Sequence, residues 1–201
     1  MGYDVEVKLL TITPEGEKLA ERAGRLCYAT EDKLGTSKGW LQARIKAGEE
    51  SLIEHASATF YIKASRVLTH ELVRHRIGSY SQRSQRYVKE TEPNYITPPE
   101  LVSDQSQEHQ NQKPEVIFHN VMETCWKGYR ALLEAGIKPE IARYVLPNAC
   151  TTQIICTWNF RELRHIIKQR TSPRALPEMR QVALKIKEIM KAQAPEIFQD
   201  I

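Results

Sequence analysis

The sequence predicts an α/β or α+β fold, and three observations carry that expectation. Alternating apolar and polar residues stand at 3–12, 57–63 and 151–158, as half-buried strands require. Between and after them apolar residues recur at helical spacing, most clearly from Pro114 to Ala135 and from Pro177 to Ala194. Strands interspersed with helices in 201 residues allow one domain with a sizeable core and are too few for two comfortable ones.

In chain order, Tyr3 to Ile12 reads as the first strand, and Pro14-Glu15 opens a helix reaching about Cys27. Lys38 to Gly48 reads as a second helix through Trp40, Leu41 and Ile45, stopped by Gly48. Ser57 to Lys63 is rich in strand formers, and the helix after it carries Leu68, Leu72 and Val73 into an arginine-rich loop. Residues 91–114 hold Pro93, Pro98, Pro99 and Pro114, with a Gln-rich stretch at 105–112, and read as an exposed excursion within the domain. A long helix follows from Pro114 to about Ala135, ended by Gly136; a short one runs from Pro139 to Leu146, stopped by Pro147. Thr151 to Trp158 alternates as a strand, and Phe160 to Gln169 and Pro177 to Ala194 close the chain as helices with one apolar face each.

Composition narrows the function classes. Hydrophobic residues make up 41% and charged residues 27%, ordinary for a soluble globular protein, and no run approaches the ~18 apolar residues of a membrane span. The start, Met1 to Val7, lacks the basic and apolar regions of a signal peptide, so a cytoplasmic location is expected. A net charge of +4, concentrated around one segment, favours a small anionic ligand over a nucleic-acid backbone, which wants a broader basic face. Cys27, Cys125, Cys150 and Cys156 are scattered with no Cys-x-x-Cys pair, so no metal site is expected. No Gly-x-Gly-x-x-Gly or Walker loop is present, so any nucleotide must be held by other means.

The most informative segment is Arg74-His75-Arg76-Ile77-Gly78-Ser79-Tyr80-Ser81-Gln82-Arg83-Ser84-Gln85-Arg86, with four arginines, a histidine and no carboxylate. Guanidinium forks bind phosphate bidentately and stack on flat rings, which suits a nucleotide or a phosphorylated cofactor. A solvated basic loop is the plain alternative, but the apolar helical run from Val67 to Val73 leads directly into the arginines and would fix their direction.

Arg74-His75-Arg76 followed after seven residues by Ser84 has the spacing of the flavin-dependent thymidylate synthases, and the segment closely resembles theirs. Ile53-Glu54-His55 resembles the family's upstream element, Ile141 to Pro147 its helix-end arginine followed by Leu-Pro, and Thr157 to Leu163 with Arg170 its Asn-x-Arg element and catalytic arginine. These blocks fall in order across most of residues 1–198.

The resemblance implies an α/β (α+β) single domain over 1–201, with a central mixed or antiparallel sheet flanked by helices, assembling as a homotetramer. It implies reductive methylation of dUMP to dTMP, with methylenetetrahydrofolate as carbon donor, NADPH as reductant and FAD as bound cofactor, and no enzyme cysteine as nucleophile. Arg170 is then the catalytic residue, favouring the anionic form of the uracil ring. The dUMP set carried over is Glu71, Leu72, Val73, Arg74, Gln82, Arg83, Ser84, Gln85, Arg86, Arg143 and Arg170, with Ser84 holding phosphate rather than attacking. The FAD set is Ser51, Arg74, His75, Arg76, Gln82, Asn159, Phe160, Arg161 and His165. No nucleic acid and no membrane are expected as partners.

Three departures stand out. Gly48-Glu49-Glu50-Ser51 puts Glu49 where the family commonly has histidine near the flavin. Glu71 and Gln82 occupy places often held by glutamine and glutamate, an exchange that would compensate if the two touched. The chain also ends soon after Pro195-Glu196-Ile197-Phe198, with every matched ligand residue upstream. A competing reading keeps the basic loop for nucleotide or RNA binding without redox chemistry; a third keeps FAD and dUMP but alters folate use.

Overall fold

The computed structural model describes residues 2–103, 107, 109 and 112–201. Its elements are β1 (Glu6–Ile12), α1 (Gly16–Cys27), α2 (Trp40–Lys46), β2 (Ser57–Ser65), α3 (Arg66–Leu72), β3 (Ser79–Gln82), α4 (Pro114–Glu134), α5 (Pro139–Ala142), β4 (Thr151–Asn159), α6 (Phe160–Arg170), α7 (Pro177–Gln193) and α8 (Pro195–Phe198). Short 3-10 segments stand at Glu31–Lys33, Glu50–His55, Pro99–Leu101 and Arg143–Val145. The four strands form one sheet in the order β1-β2-β4-β3, and every pairing is antiparallel, which settles the choice between a mixed and an antiparallel sheet.

Alternation in β2 and β4 builds the core. Ala58, Phe60, Ile62 and Ala64 are buried, and their register partners Trp158, Cys156, Ile154 and Thr152 lie on the same face. Leu163, Ile166 and Ile167 of α6 and Val182, Ile186 and Met190 of α7 complete that core cluster. Truncating a residue such as Phe60 there would cost about 3–5 kcal/mol. On the opposite face, Thr59 and Thr157 are hydrogen-bonded across the pair at 2.9 Å.

Two helices leave this pair of strands without a loop. Ser65 ends β2 and caps α3: its hydroxyl accepts from Leu68 N–H at 3.1 Å and donates to buried Glu178 at 2.5 Å. Asn159 ends β4 and caps α6, its side-chain oxygen accepting from Glu162 N–H at 2.8 Å. Because β2 and β4 are antiparallel, α3 and α6 start at opposite ends of the pair, and their C-terminal ends meet.

The arginine segment differs from the expected loop. Ser79 to Gln82 pairs with Thr157 to Ile154 as β3, although serine and glutamine are weak strand formers, because the free edge of β4 supplies the ladder. The excursion after it is pinned beside the start of β4 by a Tyr95–Cys150 bridge. The expected Gln-rich exposed stretch at 105–112 lies mostly outside the described residues. Pro139 to Leu146 is an α-turn that tightens into a 3-10 segment at Arg143, so the expected helix there is shorter. A small second core of Trp126, Tyr129, Ala142 and Cys150 joins α4 and α5 to the sheet's end.

Candidate active site

The turn between α3 and β3 is held from beneath. The Tyr80 hydroxyl donates to the His75 carbonyl and accepts from Trp158 Nε1 at 2.9 Å. Gly78 passes directly over that indole: a Cβ there would lie 2.5 Å from Trp158 Cδ1, closer than side chains tolerate. Backbone direction through Arg74-His75-Arg76 is thereby set by the core rather than by solvent.

His75 is buried at the end of α3, and its two ring nitrogens face different partners. Nδ1 lies 3.1 Å from Glu162 Oε1, and Nε2 accepts from Arg170 Nε at 3.0 Å. Arginine only donates, so Nε2 carries the lone pair and the proton sits on Nδ1, facing the carboxylate. Burial pushes the His75 pKa down to about 4, with Arg170 and His165 adding to the effect. Burial raises the Glu162 carboxyl. Arg170 also donates from Nη1 to Glu71 Oε2 at 2.8 Å, so the order Glu162–His75–Arg170–Glu71 is continuous.

This array borders a cleft of about 370 Å³ that includes Arg74, Arg76, Ile77, His165 and Arg170. Arg74 and Arg76 are exposed, and their guanidiniums have no partner among the described residues. The His165 ring stands edge-on to His75, with centroids 5.8 Å apart, and Ile77 offers exposed apolar surface beside it. Ile77, Glu162 and His165 also border a second cleft of about 520 Å³ containing Asn159, Arg161 and Lys168. There Arg161 donates to Glu54 at 2.5 Å, while Glu50 lies 3.7–3.8 Å from Arg161, Arg164 and Lys168. Buried Arg164 grips Asp200 through two bonds of 2.5 and 2.7 Å, and this pairing holds the Asp200 carboxyl below its ordinary value. A separate cleft of about 530 Å³ is lined by Glu15, Glu17, Glu21 and Glu196, a charge that repels phosphate.

The remaining expected residues form another group. Gln82 donates to Thr69 and Thr152 at 3.1 and 3.3 Å; among the described residues no hydrogen bond joins it to Glu71, so the exchange of amide and carboxylate is not compensated by direct contact. Arg83 lies 3.4 Å from Glu90, and Ser84 Oγ accepts from Arg86 N–H at 3.2 Å. Arg86 and Arg143 converge on Glu140, the first through its carboxylate at 3.1 Å and the second through its carbonyl at 3.3 Å. Gln85 is buried, with Nε2 unpartnered among the described residues. Leu72 and Phe160 have their side chains fully in the core, Phe160 against Phe198, and Val73, next to Leu72 in the chain, is exposed. Ser51 is exposed on the 3-10 segment at Glu50–His55. Glu49 is occupied by Arg44 at 3.1 Å and by the Tyr28 hydroxyl at 3.0 Å.

Sequence reading missed Glu162, Glu140 and Tyr80. Glu162 stands three residues after its helix cap, a spacing visible in sequence, yet nothing in that spacing says the side chain turns toward His75.

The arrangement defines an anion-binding α+β protein whose cleft offers free guanidiniums beside flat and apolar surfaces. FAD fits that donor set: Arg74 and Arg76 are available to phosphate, and the two clefts share a wall, giving room for an elongated dinucleotide. A family model described as "Thymidylate synthase complementing protein" (Thy1) matches residues 8–196. The chain is 40% identical to a flavin-dependent thymidylate synthase of Geobacter sulfurreducens over 98% of its length and 86% of that protein's. It is 39% identical to the protein of that name from Clostridium tetani, covering 96% and 85%, and 36% identical to the one from Mycobacterium tuberculosis, covering 97% and 83%. The chain belongs to the Thy1 family.

Proposed function

We propose that this chain is a flavin-dependent thymidylate synthase, a methyltransferase that converts dUMP to dTMP in dTMP biosynthesis. Methylenetetrahydrofolate serves as carbon donor, NADPH as reductant and FAD as cofactor. The observation that carries the reading is Arg170, held by His75 and Glu71 at the edge of a cleft with two unpartnered guanidiniums, in a chain of this family. FAD, when bound, would supply the hydride and the methylene transfer. What the protein must supply is position and charge.

Arg170 is already directed before substrate arrives. With Nε on His75 and Nη1 on Glu71, its remaining donors face the pyrimidine edge and favour the ring's anionic form. Ser84, Arg86 and Arg143 hold the dUMP phosphate, which takes over from Glu140 as partner of Arg86. Gln82, Arg83, Gln85 and the α3 end from Glu71 to Arg74 wall the nucleotide, with Leu72 acting through its main chain. Arg74, His75, Arg76, Gln82, Ser51, Asn159, Phe160, Arg161 and His165 line FAD, Phe160 again by its main chain. Buried Cys150 and Cys156 have thiol pKa values raised by burial, Cys150 to about 12, which disfavours either as a thiolate nucleophile.

The active unit in this reading is a homotetramer of single domains spanning 1–201, in the cytoplasm. Sites that take residues from several subunits bring the Arg86–Arg143 group and the Arg170 array to one nucleotide in this reading. Exposed Tyr87, Ile141 and Tyr144, at 77%, 57% and 82%, give the Arg86–Arg143 neighbourhood apolar surface to bury on assembly.

The test is anaerobic incubation of the purified protein with FAD, NADPH, dUMP and methylenetetrahydrofolate, with dTMP read by mass spectrometry. Formation of dTMP that ceases when any one component is omitted supports the reading. No dTMP, together with tight and salt-steep nucleic-acid binding, would replace it with a binding function.

A further inference from the structure

Glu162 belongs to none of the substrate or cofactor sets above, yet it is buried, ionisable and in contact with the histidine between the paired arginines. A buried carboxylate is costly unless something uses its charge. Here His75 does. The Glu162 backbone N–H is taken by the Asn159 cap, which fixes the first turn of α6, and its Oε1 faces His75 Nδ1 at 3.1 Å. Across the ring, Arg170 Nε donates to Nε2 at 3.0 Å.

We infer that Glu162 is a positioning residue whose carboxylate holds His75 as its Nδ1–H tautomer and, through that ring, directs the Arg170 guanidinium into the cleft. The geometry allows one consistent proton placement. The alternative tautomer sets an imidazole N–H against an arginine N–H and turns a lone pair toward a carboxylate, so both contacts become repulsive. Removing the acceptor at Nδ1 leaves the Arg170 Nε–H alone to favour the Nδ1–H tautomer, so the ring exchanges between tautomers and its hold on Arg170 weakens. Among the described residues Glu71 is the other partner of Arg170, and it holds the guanidinium from the exposed side of α3. His165 meets the same ring edge-on, but no hydrogen bond joins them among the described residues, so it does not set the tautomer.

This inference rests on the reading of Arg170 as the group that faces the pyrimidine, and its test separates the two. Full-length protein labelled with ¹⁵N in histidine rings and arginine side chains reports the His75 tautomer and the Arg170 Nε–H directly, without turnover; His75→Gln assigns the ring signals. The wild type is expected to show the Nδ1–H tautomer. Glu162→Leu is expected to show a mixture of ring tautomers and a weakened Arg170 Nε–H signal, and to lower kcat by ~10–100-fold, the range for removing the outer partner of a metal-bound histidine, with little change in KM for dUMP. Glu162→Gln is expected to keep the tautomer and kcat within about threefold, since an amide oxygen still accepts, though without the charge. Wild-type His75 protonated at Nε2 would overturn the inference even if Glu162→Leu failed to fold. So would a folded Glu162→Leu with wild-type ring shifts and kcat. Wild-type protein that made no dTMP would remove the synthase reading, and the ring shifts would still decide the tautomer.

Discussion

Arg170 Nε and Nη1 are both committed to protein acceptors, so its charge is aimed without help from a ligand. Arg170→Ala is therefore expected to lower dTMP formation by roughly 100-fold or more, as for other single transition-state charge partners, with turnover near wild type as the contrary result. His75 gives a prediction in pH. Its unfolded imidazole takes a proton near 6.5 and its folded one only near about 4, so the unfolded state binds more protons between these values. This group alone makes the fold less stable as pH falls from 6.5 toward 4. Urea midpoints at pH 7 and pH 4.5 should differ more for wild type than for His75→Gln; equal differences, or a ring titration near 6.5, would contradict the assignment. Which residues gather was legible from the arginine-rich segment, its flanks and the family spacing. Which nitrogen bonds which acceptor was not, because Glu162 and Glu71 reach His75 and Arg170 across 87 and 99 positions of chain.

At the level of elements, strands passing straight into capped helices carry the site. Asn159→Ala should destabilise the protein by about 1 kcal/mol in urea unfolding through loss of the α6 cap, whereas Asn159→Asp keeps an acceptor and should stay close to wild type. Equal losses in both would mean the cap contributes little. Gly78→Ala forces a methyl into Trp158 and should cost about 1–3 kcal/mol; no loss would mean the turn shifts freely over the indole. Periodicity made α4, α6, α7, β2 and β4 legible, since each buries one regular face. It could not show β3, whose two serines and glutamine have little intrinsic strand preference and which is ordered by the edge of β4 and by Tyr80 reaching back under His75. The Arg143 turn tightens for a similarly local reason, with Pro147 just beyond it closing off further helix.

For the molecule as a whole, the proposed homotetramer would bring the Arg86–Arg143 group and the Arg170 array to one nucleotide. Sedimentation should show four copies of the 23.2 kDa chain, and Tyr144→Asp should shift the population to smaller species while lowering dTMP formation in parallel. A fully active monomer would refute the shared site. The order of family blocks along the sequence made the whole-molecule class legible even where single residues were not, and Glu49 stood where the family commonly has histidine near the flavin. Its carboxylate is paired with Arg44 and hydrogen-bonded by the Tyr28 hydroxyl, so it adds less repulsion than its identity suggests. The most direct test is the visible absorption spectrum of the purified protein in the absence of oxygen, as NADPH and dUMP are added. Flavin bands that bleach, then recover with dTMP formation on addition of methylenetetrahydrofolate, are the expected result. A colourless protein that neither takes up FAD nor binds dUMP would contradict it.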